Sequence, residues 1–518
     1  MNIQIDAKKK FDILFYSILL IGTLIRLVRL NLYSFWYDEA WRALIACNEN
    51  WLEKLRTNIA PQPLLFIGMH HYIPHIFGNT ETVYRITGAI LGSISLLLIY
   101  LIVASLTNKT IGLISMFLMA FQPQYIYFSR EFKTYSYDIF FVLIMIYLCE
   151  RMVSKSDISE LNWNDYGLFC LFLFLSPFFS IPVLFIVPAI YIILLFYKKN
   201  NIVSIIKLLL SGILFITIYL IHYRLILAPQ ESKFIEEVWS SRYFDLSQPI
   251  FNNIYNLLGA TYNMFSTYVY HRANPFGIYF MDLITTIIII LFVLGLINLF
   301  KKGVFRVFIY IFTPYLLMIL FACFNLWPFG PTRLNLFFFP LLLVPLSYQL
   351  GSIYLALSRK QKANMTRLYA YTILTALIFF PFNFFNTSCH LPYHVLIEQD
   401  IRPGIKVLLE NAKGFDAICV TCPSEFDYYY YYYSPFTKYP KIIRKDKMFY
   451  STDPSGDLDF KLAFSRNKRV WVVFCSTLLD KEDIDKIKKD INRYGEKLLG
   501  CEKEQMFVYL YRSKLNLN

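Results

Sequence analysis

Apolar runs long enough to cross a lipid bilayer recur along the first three quarters of the chain, and no other feature constrains its fold as strongly. Hydrocarbon offers no hydrogen-bond partners, so such runs must close their backbone bonds internally. About 18 or more apolar residues therefore read as one spanning helix. Candidate spans lie near 11–30, 83–106, 110–128, 135–152, 165–180, 182–197, 203–227, 277–300, 304–324, 334–357 and 368–388, eleven in all. The stretch 164–198 is interrupted by Pro177, Pro182 and Pro188 and reads as two short spans or one broken span. A composition 57% hydrophobic and only 17% charged excludes a single soluble globule of 518 residues.

The net charge of +14 then reads as topology. Lys8, Lys9 and Lys10 precede the first run, and Lys198, Lys199, Lys301, Lys302, Arg359, Lys360 and Lys362 occupy short gaps, as cytoplasmic loops do. These gaps lack the interleaved aromatic residues that a nucleic acid partner needs. The run starting at Phe11 is too long for a signal-peptide core and has no Ala-x-Ala site, so it counts as a span. Among nine cysteines the sole CxxC, Cys419 and Cys422, falls in a strand-like run and reads as buried structural thiols.

With a cytoplasmic amino terminus, eleven spans put residues 31–82, the turn SREFKTYSYD and the loop 228–276 on the extracytoplasmic side. Within 31–82, polar and apolar residues alternate at helical spacing over lengths too short to span, as in interfacial helices. From residue 389 onward the pattern becomes that of a soluble domain. RPGIKVLLENA and KEDIDKIKKDINRYGEKL read as helices, and DAICVTC, RVWVVFC and MFVYLYRS as strands. The expected fold class is thus a polytopic α-helical membrane domain, 1–388, followed by a small extracytoplasmic α/β domain, 389–518. The run Tyr428 to Tyr433 suits packing within that domain, stacking on sugars or an interfacial position. The sequon Asn386-Thr387-Ser388 carries no weight in a bacterial setting, towards which the AT-rich residue usage leans.

Four groups of residues carry chemistry. Asp38 and Glu39 form an acidic pair just beyond the first span, where an unpaired carboxylate is costly; they serve either catalysis or the amino-terminal end of the helix that follows. Arg130, Glu131 and Lys133, with Tyr135 next to them, put a planar fork and a point charge side by side. That combination suits a phosphate, or else two cations snorkelling at a span end. Arg333 in WPFGPTRLNLFFFP is a further phosphate ligand or a headgroup anchor. His71 and His75 share a helical face, but without HExxH no metal is assigned, and His71 is kept as a substrate-binding candidate.

In order and spacing these pieces resemble the GT-C superfamily of integral-membrane glycosyltransferases. The branch is that of the protein O-mannosyltransferases, glycosyltransferase family 39-like, and the lipid A aminoarabinose transferases. The resemblance rests on Arg26 through SFWYDEA, PQPLLFIGMHHYIPHIFG, YRITGAILG and FQPQYIYFSREFKTYSYD. It covers about residues 10–150 well and Arg333 to Pro340 loosely. The chain departs from the pattern where family members have two adjacent prolines (here Pro61, Gln62, Pro63), an arginine (here Lys133) and an Arg-Tyr pair (here Arg333 and Leu334).

The resemblance implies transfer of a sugar from a polyprenyl-phosphate-linked donor to a glycan, lipid or protein acceptor outside the plasma membrane, with inversion. Asp38 would then be the general base and Glu39 would hold the acceptor, the sugar or the helix in register. Arg130, Lys133 and Arg333 would meet the leaving phosphate, and Glu131 would orient these cations. Relatives differ on metal dependence, so a divalent cation stays open. A glycosidase-like hydrolase, a polysaccharide polymerase or ligase, and a lipid-linked sugar transporter or flippase are the competing readings. A transporter predicts ionisable groups at mid-membrane depth, whereas these charges cluster at span ends.

Overall fold

The computed structural model describes residues 2–58, 60–154, 163–230, 239–245, 247–269, 278–360, 400–450, 457–475, 481–503 and 506–515. The candidate span 368–388 and the sequon lie outside the described residues. Two compact units share the chain: Met1–Val28, Leu55–Phe66 and Thr87–Leu391 make the first, and Arg29–Lys54, Ile67–Ile86 and Pro392–Asn518 the second.

Helices dominate the first unit and the stretches 29–54 and 67–86 of the second. α1 is Asn2–Leu27, and Arg29 turns the chain out of it in the left-handed region at φ 55°. The short helices α2 (Tyr37–Cys47), α3 (Trp51–Arg56) and α4 (Leu64–Phe77) precede α5 (Glu81–Leu106), and Gly78 at φ 86° closes α4. The run read as one span over 110–128 is broken. α6 (Lys109–Phe121) and α7 (Pro123–Ser129) meet at 65°, because Pro123 cannot continue the ladder and the Gln122 side chain caps the Tyr125 N–H at 2.6 Å. α8 (Tyr135–Ser154), α9 (Trp163–Leu175), α10 (Val183–Lys198) and α11 (Ile202–His222) follow, the last running into a π-turn at Tyr223–Leu227. After these come α12 (Ile250–Val269), α13 (Ile278–Lys301), α14 (Phe305–Cys323) and α15 (Phe339–Lys360).

Among the described residues five helices are long and apolar enough to cross a membrane, or six if the bent pair is one span. The expected eleven is therefore not reproduced as eleven uninterrupted apolar helices. α9 and α10 are only 13 and 16 residues long. α8 carries Asp138, Glu150 and Arg151, and two of these are paired: Arg306 Nε lies 2.9 Å from Glu150, and Arg151 2.8 Å from Asp165. Tyr310 also donates to Glu150 at 2.9 Å, so the carboxylate's lone pairs are met within the bundle. α13 approaches α15 so closely that a Cβ at Gly295 would run into the Pro345 carbonyl.

The sheet belongs to the second unit. Its strands are β1 (Ala417–Val420), β2 (Met448–Tyr450), β3 (Arg469–Cys475), β4 (Gly495–Lys503) and β5 (Met506–Ser513), in the order β2-β1-β3-β5-β4. β1 runs parallel to β2 and β3, while β5 is antiparallel to β3 and β4. The helices α16 (Arg402–Asn411), α17 (Pro423–Asp427), α18 (Asp457–Arg466) and α19 (Lys481–Tyr494) accompany it. Trp471 is buried, and its indole N–H donates to Asp416 at 2.9 Å, next to the Arg469–Asp416 ion pair at 2.7 Å. Cys419 and Cys422 are buried, Cys419 on β1 and Cys422 beyond its end at the cap of α17. The sequence reading carried the last helix through GEKL, but the chain leaves it at Tyr494 and Gly495 opens β4.

Candidate active site

The acidic pair opens α2. Trp36 occupies the cap position in extended backbone without a side-chain cap, so neither Asp38 nor Glu39 caps the helix; both sit in its first turn, where the helix dipole favours negative charge. Their surroundings differ. Glu39 is buried, and Arg85 binds it through two parallel bonds, Nε to Oε1 at 2.9 Å and Nη2 to Oε2 at 2.5 Å. Arg85 also donates to the carbonyls of Leu30, Tyr33 and Ser34 at 2.7, 3.0 and 3.2 Å, so all five of its N–H donors are used.

Asp38 is half-buried, and its backbone carbonyl accepts from Arg42 at 2.6 Å. Within this unit Arg402 complements Arg85. It donates to the carbonyls of Asn31 and Leu32 at 2.8 and 2.9 Å, and pairs with Asp400 and Glu81. Five successive carbonyls, Leu30 to Ser34, are therefore bound by two guanidinium groups. Tyr429 extends the clamp, accepting from the Phe35 N–H at 2.6 Å and donating to Glu81 at 2.7 Å. Tyr428, Tyr429 and Tyr430 are buried, and the Tyr428 ring packs 4.9 Å from Phe35. The tyrosine run thus packs within its unit, against the segment leading to Asp38.

His71 bonds the Ala46 carbonyl through Nδ1 at 2.7 Å and stacks on Trp51 at 5.7 Å, which ties α4 to the far end of α2. His75 meets it edge-on at 5.0 Å. No group of three or more His, Cys, Asp or Glu side chains fit to hold a metal occurs among the described residues.

Arg130, Glu131, Lys133, Tyr135 and Arg333 belong to the first unit, whereas Asp38, Glu39 and His71 belong to the second. Arg130 caps α7 and its guanidinium bonds the Ile25 carbonyl at the end of α1. Lys133 is 2% exposed, so its ammonium is not reaching for water as a snorkelling lysine does. The turn bearing it is packed by Phe132 on Phe66 at 5.3 Å, and Tyr135 starts α8 in a buried position. Arg26, fully buried, donates to Gly22, Met119 and Ala120 and lies over the Tyr125 ring at 5.1 Å, binding α1 to the bent pair. Arg333 opens a short 3-10 turn, Arg333–Phe338, that packs against α8. Asn335 fixes the preceding loop by accepting from Trp327 at 2.7 Å and donating to Pro328 and Gly330.

The sequence reading did not single out Glu81, Arg85, Arg402 or Glu425. For Arg85 a signal existed, a buried-type arginine four residues after Glu81 at the head of an apolar helix.

The family described as dolichyl-phosphate-mannose-protein mannosyltransferase matches residues 62–223. The apo structure of ArnT from Cupriavidus metallidurans aligns over 97% of this chain and 98% of its own, with 9% identity and a TM-score of 0.51. The chain has the fold of this membrane glycosyltransferase-type protein. The archaeal oligosaccharyltransferase AglB from Archaeoglobus fulgidus, in complex with an inhibitory peptide and a dolichol-phosphate, is similar at 11% identity over 97% of this chain and 74% of its own, TM-score 0.49. The Saccharomyces cerevisiae Pmt1-Pmt2 complex bound to the sugar donor is similar over 43% of this chain and 34% of its own, with 16% identity and a TM-score of 0.34. No curated protein sequence matches. The chain is a multi-pass membrane protein. Arg130, Glu131, Lys133, Tyr135 and His71 fall inside the matched segment, and Asp38, Glu39 and Arg333 outside it.

Proposed function

We propose that this protein transfers a sugar from a polyprenyl-phosphate-linked donor to an extracytoplasmic glycan, lipid or protein acceptor, with inversion at the anomeric carbon. The observation that carries the reading is the division of labour in the acidic pair. Glu39 is held by Arg85 through both carboxylate oxygens, and Asp38, half-buried one residue earlier in the same first turn, takes the role of base. An acceptor hydroxyl is a poor nucleophile at neutral pH, and a positioned base raises its reactivity about 10²–10⁴-fold. Phosphate leaves without protonation when its charge is met. Arg130, Lys133 and Arg333 supply that positive charge, with Glu131 and Tyr135 shaping the turn around it. With Nδ1 held by Ala46, His71 contributes through Nε2.

The test is mass spectrometry of polyprenyl-phosphate sugars and surface glycans in a deletion strain and its complemented counterpart. Accumulation of one lipid-linked sugar, with loss of that sugar from a surface glycan, is the expected result. No change in either pool would favour a transporter.

Two expectations accompany this reading. Arg130→Ala should weaken binding of polyprenyl phosphate to the purified protein by about 10–100-fold, the worth of a charge-assisted hydrogen bond. Arg130→Lys should recover part of it, and unchanged affinity in both would reassign Arg130 to holding the end of α1. The second concerns the domain boundary near 389 and its orientation in a bacterial plasma membrane. A cysteine replacing the exposed Lys461 should react in intact spheroplasts with a membrane-impermeant maleimide, above the background of the native thiols. Protection until lysis would invert the topology.

A further inference from the structure

α17 packs against α2 within the second unit and carries Glu425, only 4% exposed. Its Oε2 is buried and has no hydrogen-bond partner among the described residues. A carboxyl in that state is costly when charged, and the buried carboxylates in the ion pairs of this unit are others, Glu39, Glu81, Asp400 and Asp416. Burial pushes it up to about 7, and the neighbouring charge of Asp38 adds to the rise. Tyr37, the residue before Asp38, is raised as well, by burial first and then by the charges of Glu425 and Asp38. The three groups therefore sense one another across the α2–α17 contact.

We propose that Glu425 is a positioning residue for Asp38, a buried second carboxyl from the C-terminal part of the chain whose ionisation makes Asp38 a stronger base. This rests on the reading of Asp38 as the general base. Carboxyls that interact strongly titrate as a coupled pair. While Glu425 holds its proton it is a neutral neighbour; once it loses that proton, its negative charge opposes a second negative charge nearby and strengthens the hold of Asp38 on an acceptor's proton. The proton of the acceptor hydroxyl moves to the Asp38 carboxylate as the new glycosidic bond forms, and the departing phosphate keeps the electron pair of the broken bond.

The other titratable or charged groups on the packed elements are accounted for. On α2, Glu39 is neutralised by Arg85, Arg42 bonds the Asp38 carbonyl, and the Cys47 thiol is pushed up to about 11 by burial. On the π-turn Tyr428–Tyr432, burial raises all five tyrosines, Tyr428 and Tyr429 well above the ordinary range, so all are neutral in the working window. On α17 itself, Asp427 accepts from Tyr450 at 2.8 Å. The linkage sign follows from the raised value. Between about 4.5, the ordinary carboxyl value, and about 7 the folded protein keeps a proton that the unfolded chain has released, so this unit loses stability as pH rises through that window.

The test labels full-length protein in detergent with dicyclohexylcarbodiimide, which attacks protonated carboxyls, and maps Glu425 by peptide mass at a series of pH values. In the wild type, labelling should fall away with a midpoint near 7. In Asp38→Asn that midpoint should move down, because the adjacent charge is gone. A wild-type midpoint in the ordinary carboxyl range, or one that Asp38→Asn leaves in place, overturns the proposal without any appeal to activity. The second readout is sugar transfer in deletion-strain membranes, which hold unreacted donor and acceptor. Wild-type transfer should rise across the labelling window. Glu425→Gln should fold, as a neutral isostere, and give a flat, lower profile; Glu425→Asp should restore a step. A Glu425→Gln profile like that of the wild type, alongside inactive Asp38→Asn, sinks the role of Glu425 and leaves Asp38 as base. An active Asp38→Asn sinks the Asp38 reading, and the proposal with it.

Discussion

Asp38→Asn is expected to reduce sugar transfer by about 10²–10⁴-fold while leaving the protein at normal abundance in the membrane. The asparagine keeps the volume and the first-turn position of Asp38 but cannot accept a proton. The Arg42 contact is to the Asp38 backbone carbonyl, so it survives the change. Helix stability falls only by the small loss of a negative charge near the helix amino terminus, about 0.3–1 kcal/mol. Glu39 cannot substitute, because both of its carboxylate oxygens are bound by Arg85. Asp38→Glu tests position separately from charge. It restores the carboxylate but displaces it by one methylene, and a misplacement of about 1 Å is enough to cost about 10²-fold. Comparing lipid-linked sugar pools in strains carrying each variant, with the protein quantified in the same membranes, checks both. Full activity of Asp38→Asn would remove Asp38 as base and leave its charge a contribution to the helix end.

The features legible in sequence are those written in local pattern. Apolar runs gave the helical bundle, and the alternation in RVWVVFC and MFVYLYRS gave β3 and β5. The break between α6 and α7 was legible in principle, since Gln122-Pro123 carries both a cap and a missing donor, but the surrounding hydrophobicity masked it. β4 was lost because Gly495 follows an amphipathic helix directly, and the strand is defined by its pairing with β5 rather than by its own residues. The candidate site divides in the same way. Asp38, Glu39, Arg130 and Lys133 were visible as charges at span ends. What makes Asp38 and Glu39 unequal was not, because Arg85 lies 46 residues from Glu39 and Tyr429 lies 348 from Glu81. Partners at that separation are chosen by tertiary packing, and no local period encodes them. The π-turn that buries the first three tyrosines of the run is likewise a packing result.

Arg85→Ala should be the most damaging single change to the folded protein, for reasons that do not pass through chemistry. It leaves Glu39 as a buried charge without its partner, a loss of about 3–5 kcal/mol for a buried pair broken on one side. It also removes the donors to the carbonyls of Leu30, Tyr33 and Ser34. The segment entering α2 then keeps the Arg402 bonds to Asn31 and Leu32 and the Tyr429 bond to Phe35. Expected observations are a lower midpoint in thermal unfolding of the detergent-purified protein and faster proteolysis within residues 29–36. Glu39→Gln should be milder, because an amide still accepts from the guanidinium while the attraction between opposite charges is lost. The double variant Arg85→Met with Glu39→Leu separates the two contributions. It removes the unpaired charge and so should recover much of the stability, as replacement of buried ion pairs by apolar residues often does. The carbonyls of Leu30, Tyr33 and Ser34 remain without their donor, so proteolysis of 29–36 should stay fast. Recovery of both readouts in the double variant would mean that the ion pair alone, and not the clamp on successive carbonyls, holds the segment in front of Asp38.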